Sequence, residues 1–296
     1  MKAALHTVSY AGVWPGQVRL TLEAVLDKAA SLGFQGIMLM AKRPHASVLD
    51  LDRRARTRLR KALEKRGLAL ACVAAYTNFT AGTDHPGVPF QEMQIRYVEE
   101  LAALTAELGG SVIRVFTGWE VPGIHPEVLW DWCVSSLREC ARRAAHYGIT
   151  IAVQNHHDIA NHHLRMRDLL EEIGEPNCKA AFDAWAPALQ GVDLREAVLH
   201  MRDWIVHTTV ADYVKRPRFH LDDPLVNFLP RDEMVTAVTP GEGAIDYQTF
   251  FATLKEIAYD GWVAFEMCSR LKGGGSEENL DRIARAFLKV LAQRWL

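Results

Sequence analysis

Short apolar runs alternate with longer amphipathic ones from one end of this 296-residue chain to the other. Runs of about five to seven residues suit strands, and longer segments with a 3.6-residue apolar period suit helices. Strands are expected at Ala3–Val8, Gly36–Met40, Ala69–Ala75, Val112–Phe116, Thr150–Gln154, Lys179–Asp183, Ile205–Thr209 and Val263–Met267. Helices are expected at Arg19–Leu32, Leu49–Lys65, Phe90–Leu108, Pro126–Tyr147, Arg165–Ile173, Leu194–Met201, Tyr247–Ile257 and Glu277–Ala292. Glycine closes several helix patterns just before an apolar strand residue, as in Ser31-Leu32-Gly33-Phe34 and His146-Tyr147-Gly148-Ile149. It supplies the left-handed conformation that ends a helix. Eight strand–helix pairs with no second compositional block predict one domain, residues 1–296, folded as a single parallel eight-stranded (β/α)8 TIM barrel. The alternative is an open doubly wound sheet, but no GxGxxG turn follows the first strand.

Composition narrows the function classes. The chain is 49% hydrophobic and 24% charged, as in proteins with a large core. Its 34 basic and 36 acidic residues leave a net charge of −2, so no nucleic-acid partner is expected. The basic run from Arg53-Arg54-Ala55-Arg56 to Lys65-Arg66 reads as a solvated helix face. Five scattered cysteines without a CxxC pair read as reduced thiols of a cytoplasmic protein. No run approaches the roughly 18 apolar residues of a membrane span, and no long apolar leader opens the chain, so no membrane partner is expected. Leu129, Trp130 and Trp132 leave two readings, packing within the chain or a homo-oligomer face.

Barrel active sites lie at the C-terminal ends of the strands. There Gln154, Asp183, Thr209 and Glu266 interrupt apolar runs, and alternation turns them toward one mouth. Such a ring of oxygens suits a hard divalent cation, Mg²⁺ or Mn²⁺. Taken singly, Asp183 is also a candidate cap, Glu266 a paired buried acid and Gln154 a core hydrogen-bonder. His156 shares the face of Gln154 and is the best single histidine. The crowd of His156, His157, His162 and His163 matches no familiar zinc spacing. His6 and His207 fall deeper in their strands, His207 also being a candidate substrate contact. Phe116, Trp119 and Trp185 are placed to stack on a sugar ring or to pack the rim. Thr77–Pro89 and Asp212–Pro240 are long loops and therefore lid candidates. Lys215, Arg216 and Arg218, with Arg270 and Lys272, are candidate binders of a substrate oxyanion, or exposed charges.

The chain resembles the xylose isomerase-like barrel superfamily of sugar isomerases and epimerases. The resemblance is carried by Leu104-Thr105-Ala106-Glu107-Leu108-Gly109 and by Gly148 through His156. It is strongest in the turn Gly241-Glu242-Gly243-Ala244-Ile245-Asp246 and in Asp260-Gly261-Trp262 leading to Glu266. It implies one divalent metal, usually Mn²⁺, held by Glu, Asp, His and Glu at strands five to eight. Asp183 and Glu266 match the second and fourth positions. Gln154 stands where a glutamate is usual, Thr209 where the metal histidine is usual, and Ala186 where a further histidine is usual. His207 matches a preceding non-ligand histidine.

An amide cannot take a proton, so the two-glutamate epimerisation the resemblance implies is disfavoured. A one-base reaction remains: Glu266 or His156 removes a proton beside the carbonyl of a small sugar or keto-sugar, with a metal or hydrogen-bond donors stabilising the enediolate. Isomerisation would follow, or β-elimination in a dehydratase- or deglycosidase-type lyase. A non-catalytic sugar-binding barrel is the second reading. A zinc endonuclease for abasic DNA, which shares the barrel, ranks last because the charge is balanced and the histidine ligand usual at the position of Thr209 is missing.

Overall fold

A computed structural model describes residues 1–295. The chain runs β1 (Lys2–His6), α1 (Leu22–Leu32), β2 (Gly36–Met40), α2 (Arg53–Lys65), β3 (Ala69–Ala74), α3 (Phe90–Glu107), β4 (Val112–Val115) and α4 (Pro126–Ala145). It continues through β5 (Thr150–Gln154), α5 (His163–Ile173), β6 (Cys178–Ala181), α6 (Trp185–Leu189), α7 (Leu194–Met201) and β7 (Ile205–Val210). The last part holds β8 (Asp212–Asp222), β9 (Asn227–Val238), α8 (Tyr247–Glu256), β10 (Trp262–Phe265) and α9 (Glu277–Val290). Eight parallel strands close in the order β1-β10-β7-β6-β5-β4-β3-β2, which is the (β/α)8 barrel the alternation predicts.

Helix starts follow side-chain caps rather than the apolar period. α1 begins after Thr21, whose Oγ1 accepts from the Ala24 N–H at 3.3 Å, and α2 after Asp52, whose Oδ1 accepts from the Ala55 N–H at 2.7 Å. Each such cap contributes about 1 kcal/mol, enough to move the ends from the expected Arg19 and Leu49. On α2 the basic run is a solvated face: Arg56 pairs with Glu107 at 3.0 Å and Arg66 with Asp27 at 2.6 Å. On α4, Leu129 is buried, Trp130 donates to Glu172 at 2.7 Å under the Arg165 guanidinium, and Trp132 packs against the core. These side chains are used within the chain. Among the described residues no helix is long and apolar enough to cross a membrane.

Strand alternation sorts the barrel into two layers. Leu5, Ile37, Leu39, Val73, Ile113, Val115, Ile151 and Val153 join the main core beneath the helices. Burying each such side chain contributes about 1.5–3 kcal/mol. Ala4, Met38, Cys72, Ala74 and Ala264 form a separate cluster. Bulky branched residues usually fill such a barrel. Small ones here leave volume for His6, Arg114, Gln154, Asp183, His207 and Thr209, all buried.

The segment Asp212–Pro240 corrects one expectation. It is not a structureless lid but a long antiparallel hairpin, β8 against β9, registered Asp212↔Val238 through Asp222↔Asn227. Most of both strands is exposed, so neither face is sorted by burial and the usual alternation is missing from the sequence. The hairpin is anchored at its base. Asp212 Oδ2 accepts from the Gly241 and Gly243 N–H groups at 2.8 and 2.9 Å, and the Lys272 N–H donates to the Ala237 carbonyl at 2.9 Å. The Gly-Glu-Gly turn, strongest part of the resemblance, therefore closes a hairpin. A Cβ on Gly243 would stand 1.9 Å from Asp212 Oδ1. Gly243→Ala is expected to cost about 1–3 kcal/mol in urea unfolding and to speed proteolytic cleavage within the hairpin. Unchanged cleavage would show that another contact holds the base.

Candidate active site at the barrel mouth

The ends of β2, β3, β4, β5 and β10 surround a cavity of about 360 Å³. Larger depressions lie among charged residues on the outer helices. Where the barrel strands splay apart, side chains take over their pairing. Thr77 Oγ1 donates to the Phe116 carbonyl at 2.6 Å and accepts from its N–H at 2.9 Å. Thr80 does the same with Trp119 at 2.7 and 2.9 Å. Asn155 donates to the Asp183 carbonyl at 2.9 Å and accepts from the Asp183 N–H at 2.8 Å. The base of the Thr77–Pro89 loop is therefore a fixed wall that brings Asn78 to the cavity.

One wall is aromatic. The His157 ring is stacked between Phe116 and Trp119, with centroids 4.1 and 4.0 Å away. His156 leans on Phe116 at 4.9 Å and meets Trp185 edge-on at 5.3 Å. Its Nδ1 lies 3.0 Å from His157 Nδ1. Burial, then the Arg114 charge, pushes His156 down to about 4; burial, then His156, pushes His157 down to about 3. Both rings are neutral at pH 7, and one donates its Nδ1–H to the other.

Beneath the cavity lies a hydrogen-bonded hub. Asp183 Oδ1 accepts from the Thr209 N–H at 2.6 Å. Oδ2 accepts from Thr209 Oγ1 at 2.6 Å and from the Gln154 amide. Burial raises Asp183 to about 6 against the pull of the Thr209 bonds, so it stays ionised at neutral pH. Above the hub stands Glu266, the one carboxylate among the described residues lining the cavity. Burial raises its pKa and the Arg114 charge opposes the rise. His6 Nδ1 accepts from the Val8 N–H at 3.3 Å, so the neutral ring carries its proton on Nε2, 3.7 Å from Glu266 Oε1.

This donor set does not fit the divalent cation that the resemblance implies. Oδ2 of Asp183 already takes two donors and Oδ1 takes another, so a cation could reach Oδ2 only by displacing a hydrogen bond of the hub. Gln154 must turn its NH₂ toward that carboxylate, because its oxygen there would repel it. Thr209 offers only a neutral hydroxyl where the resemblance implies an imidazole nitrogen, and it is turned to donate to Asp183. Among the described residues, no group of three or more His, Cys, Asp and Glu side chains is gathered to hold a metal.

The tertiary structure thus redistributes the candidate residues. Gln154, Asp183, Thr209 and Glu266 do converge, the first three as a buried hub under the fourth. His156, Phe116 and Trp119 line the cavity. Trp185 backs His156 and touches Tyr213 of the hairpin at 5.9 Å. His207 is fully buried and lines no part of the cavity; its ring nitrogens meet no partner, and burial followed by Arg114 pushes it down to about 3. Lys215 and Arg216 are exposed on the hairpin, and Arg270 is exposed after β10, because the chain leads them outward. The cations that do reach the cavity are Lys42 and Arg114. Sequence reading passed over both, together with Tyr76 and Asn78. Arg114 had a signal: an arginine in the apolar strand Val-Ile-Arg-Val needs a reason to be there. Lys42 had none.

A closed parallel barrel with a polar cavity at its strand C-termini has the layout of a TIM-barrel enzyme. Residues 26–291 match the xylose isomerase-like TIM barrel family, and the chain belongs to that family. It is 24% identical over 260 residues to an inosose dehydratase of Geobacillus thermodenitrificans (strain NG80-2), covering 83% of this chain and 82% of that one. Among solved structures, it resembles a D-psicose 3-epimerase with D-tagatose from Clostridium cellulolyticum H10. That match has a TM-score of 0.78 and 16% identity, over 100% of this chain and 99% of the other. A probable 3-DHS dehydratase involved in petrobactin synthesis, from Bacillus anthracis, matches with a TM-score of 0.76 and 20% identity. There the coverage is 99% of this chain and 100% of the other.

Proposed function

We propose that this protein acts on a small sugar or keto-sugar and removes a proton from the carbon beside its carbonyl, with Glu266 as the base. One observation carries the reading: among the described residues Glu266 is the single carboxylate lining the cavity, and burial raises its pKa toward the working range of a general base. Of the aromatic wall, His157 is covered on both faces and Phe116 is buried, so Trp119, 46% exposed, is the ring that can stack on a sugar. Gln154 lies in the hub and cannot accept a proton, so the site has no second carboxylate for symmetric epimerisation. A single base returning its proton to the neighbouring carbon gives isomerisation, and loss of a β-leaving group gives a lyase. The dehydratases among the similar proteins favour keeping the lyase as the second reading. We also place the protein in the cytoplasm, a reading supported by its five free cysteines, four of them buried.

The test is a panel of ketoses, inososes and keto-glycosides incubated with the protein in D₂O and followed by NMR and mass spectrometry. Deuterium entering carbon with composition otherwise unchanged identifies an isomerase. Loss of water or of an aglycone identifies a lyase. Tight binding without exchange into any compound would replace the enzyme reading with a sugar-binding barrel.

A further inference from the structure

Arg114 projects from β4 into the barrel and is 1% exposed, yet it lines the cavity. Its Nη1 donates to the Ala75 carbonyl at 2.8 Å, and its buried Nε–H meets no acceptor. Among the described residues no carboxylate lies within ion-pair distance of it. Aromatic rings pack around it instead, Phe116 at 4.0 Å and Tyr76 at 5.3 Å. Lys42 stands beside it, its ammonium 3.7 Å over the Tyr76 ring. A guanidinium taken out of water without a counter-ion is costly unless something anionic comes to it. Two cations facing one carboxylate make this cavity attractive to an anion.

We propose that Arg114, assisted by Lys42, is the electrophile of this site and holds the oxyanion of the substrate in the role a divalent metal would otherwise fill. The inference rests on proton abstraction by Glu266. In that step the C–H bond breaks and the proton passes to Glu266. The freed pair forms a carbon–carbon double bond, and the carbonyl π pair moves onto oxygen. The oxygen's new charge meets the guanidinium. When Glu266 gives the proton to the former carbonyl carbon, the C=C pair forms that C–H bond, the hydroxyl oxygen on the adjacent carbon becomes the new carbonyl, and its proton passes to the oxyanion, which is thereby discharged. A fixed cation whose side chain is buried stabilises such a charge with little reorganisation. The hydrogen-bonded Asp183 hub fits the same scheme, because its carboxylate is engaged by Thr209 and Gln154 and Arg114 is left to meet the new charge.

The probe is oxalate, a planar dianion shaped like an enediolate, titrated by calorimetry into protein passed through a chelating resin. Binding to the metal-stripped protein is expected, weakened about 100-fold by Arg114→Met and partly restored in Arg114→Lys. Lys42→Met, at an exposed position, should weaken it about tenfold with the fold intact, and keeps the test open should Arg114→Met fail to fold. No binding until Mn²⁺ is restored, or equal binding by wild type and folded variants, overturns the proposal. Deuterium exchange separates the two readings. Oxalate binding through Arg114 without exchange into any sugar removes the Glu266 step alone, whereas full exchange by Arg114→Met removes the electrophile alone.

Discussion

Glu266→Gln is expected to lower turnover and solvent-deuterium exchange by about 10³-fold while leaving the barrel folded. The amide keeps the shape of the side chain and its position at the end of β10, where the backbone N–H of residue 266 donates to the Val210 carbonyl at 3.0 Å. It loses only the ability to take a proton. A buried acid whose pKa is raised is a strained one, so its neutral replacement should leave the thermal midpoint unchanged or slightly higher. Substrate binding should persist, because the stacking wall and both cations remain. The decisive comparison is exchange rate against thermal midpoint for the same preparation. A folded variant that still exchanges would place the base elsewhere in the cavity, with His156 the next candidate.

Asp183→Asn should act the other way, chiefly on the fold. The carboxylate accepts from the Thr209 N–H, the Thr209 hydroxyl and the Gln154 amide, all buried. Asparagine must set its NH₂ against one of these donors. A buried donor left without its acceptor costs about 1–3 kcal/mol, roughly a 2–5 °C fall in midpoint for a chain of this size. A metal ligand would behave differently: removing a buried carboxylate from a metal-stripped site relieves desolvation and tends to stabilise it. Thermal unfolding of chelator-treated wild type and variant therefore tells the two roles apart. A variant as stable as wild type would return Asp183 to the ligand role that the resemblance implies.

How far the site could be read in advance depended on the kind of signal. Strand-end residues such as Gln154, Asp183, Thr209 and Glu266 stand out because a polar residue at the end of an apolar run must face the barrel mouth. What they do there was not legible. Whether four oxygens surround a cation or hydrogen-bond to each other turns on ångström distances between strands that the sequence does not record. Which cations reach the cavity was hidden for a related reason. Lys215, Arg216 and Arg270 follow strand ends just as Lys42 does, and only the path of the chain sends the first three outward and Lys42 over Tyr76.

The sequence by itself determined the eightfold alternation and hence the closed barrel. It also set the helix caps at Thr21 and Asp52 and the strand ends that carry polar side chains. These are local matters of period, capping oxygens and side-chain alternation, decided within a few residues. Only the tertiary structure decided that Asp212–Pro240 folds back on itself as a hairpin, that Asp183 is hydrogen-bonded by Thr209 and Gln154, and that among the described residues Arg114 has no carboxylate within ion-pair distance. Each of those depends on groups far apart in the chain being brought within hydrogen-bonding or Coulombic reach.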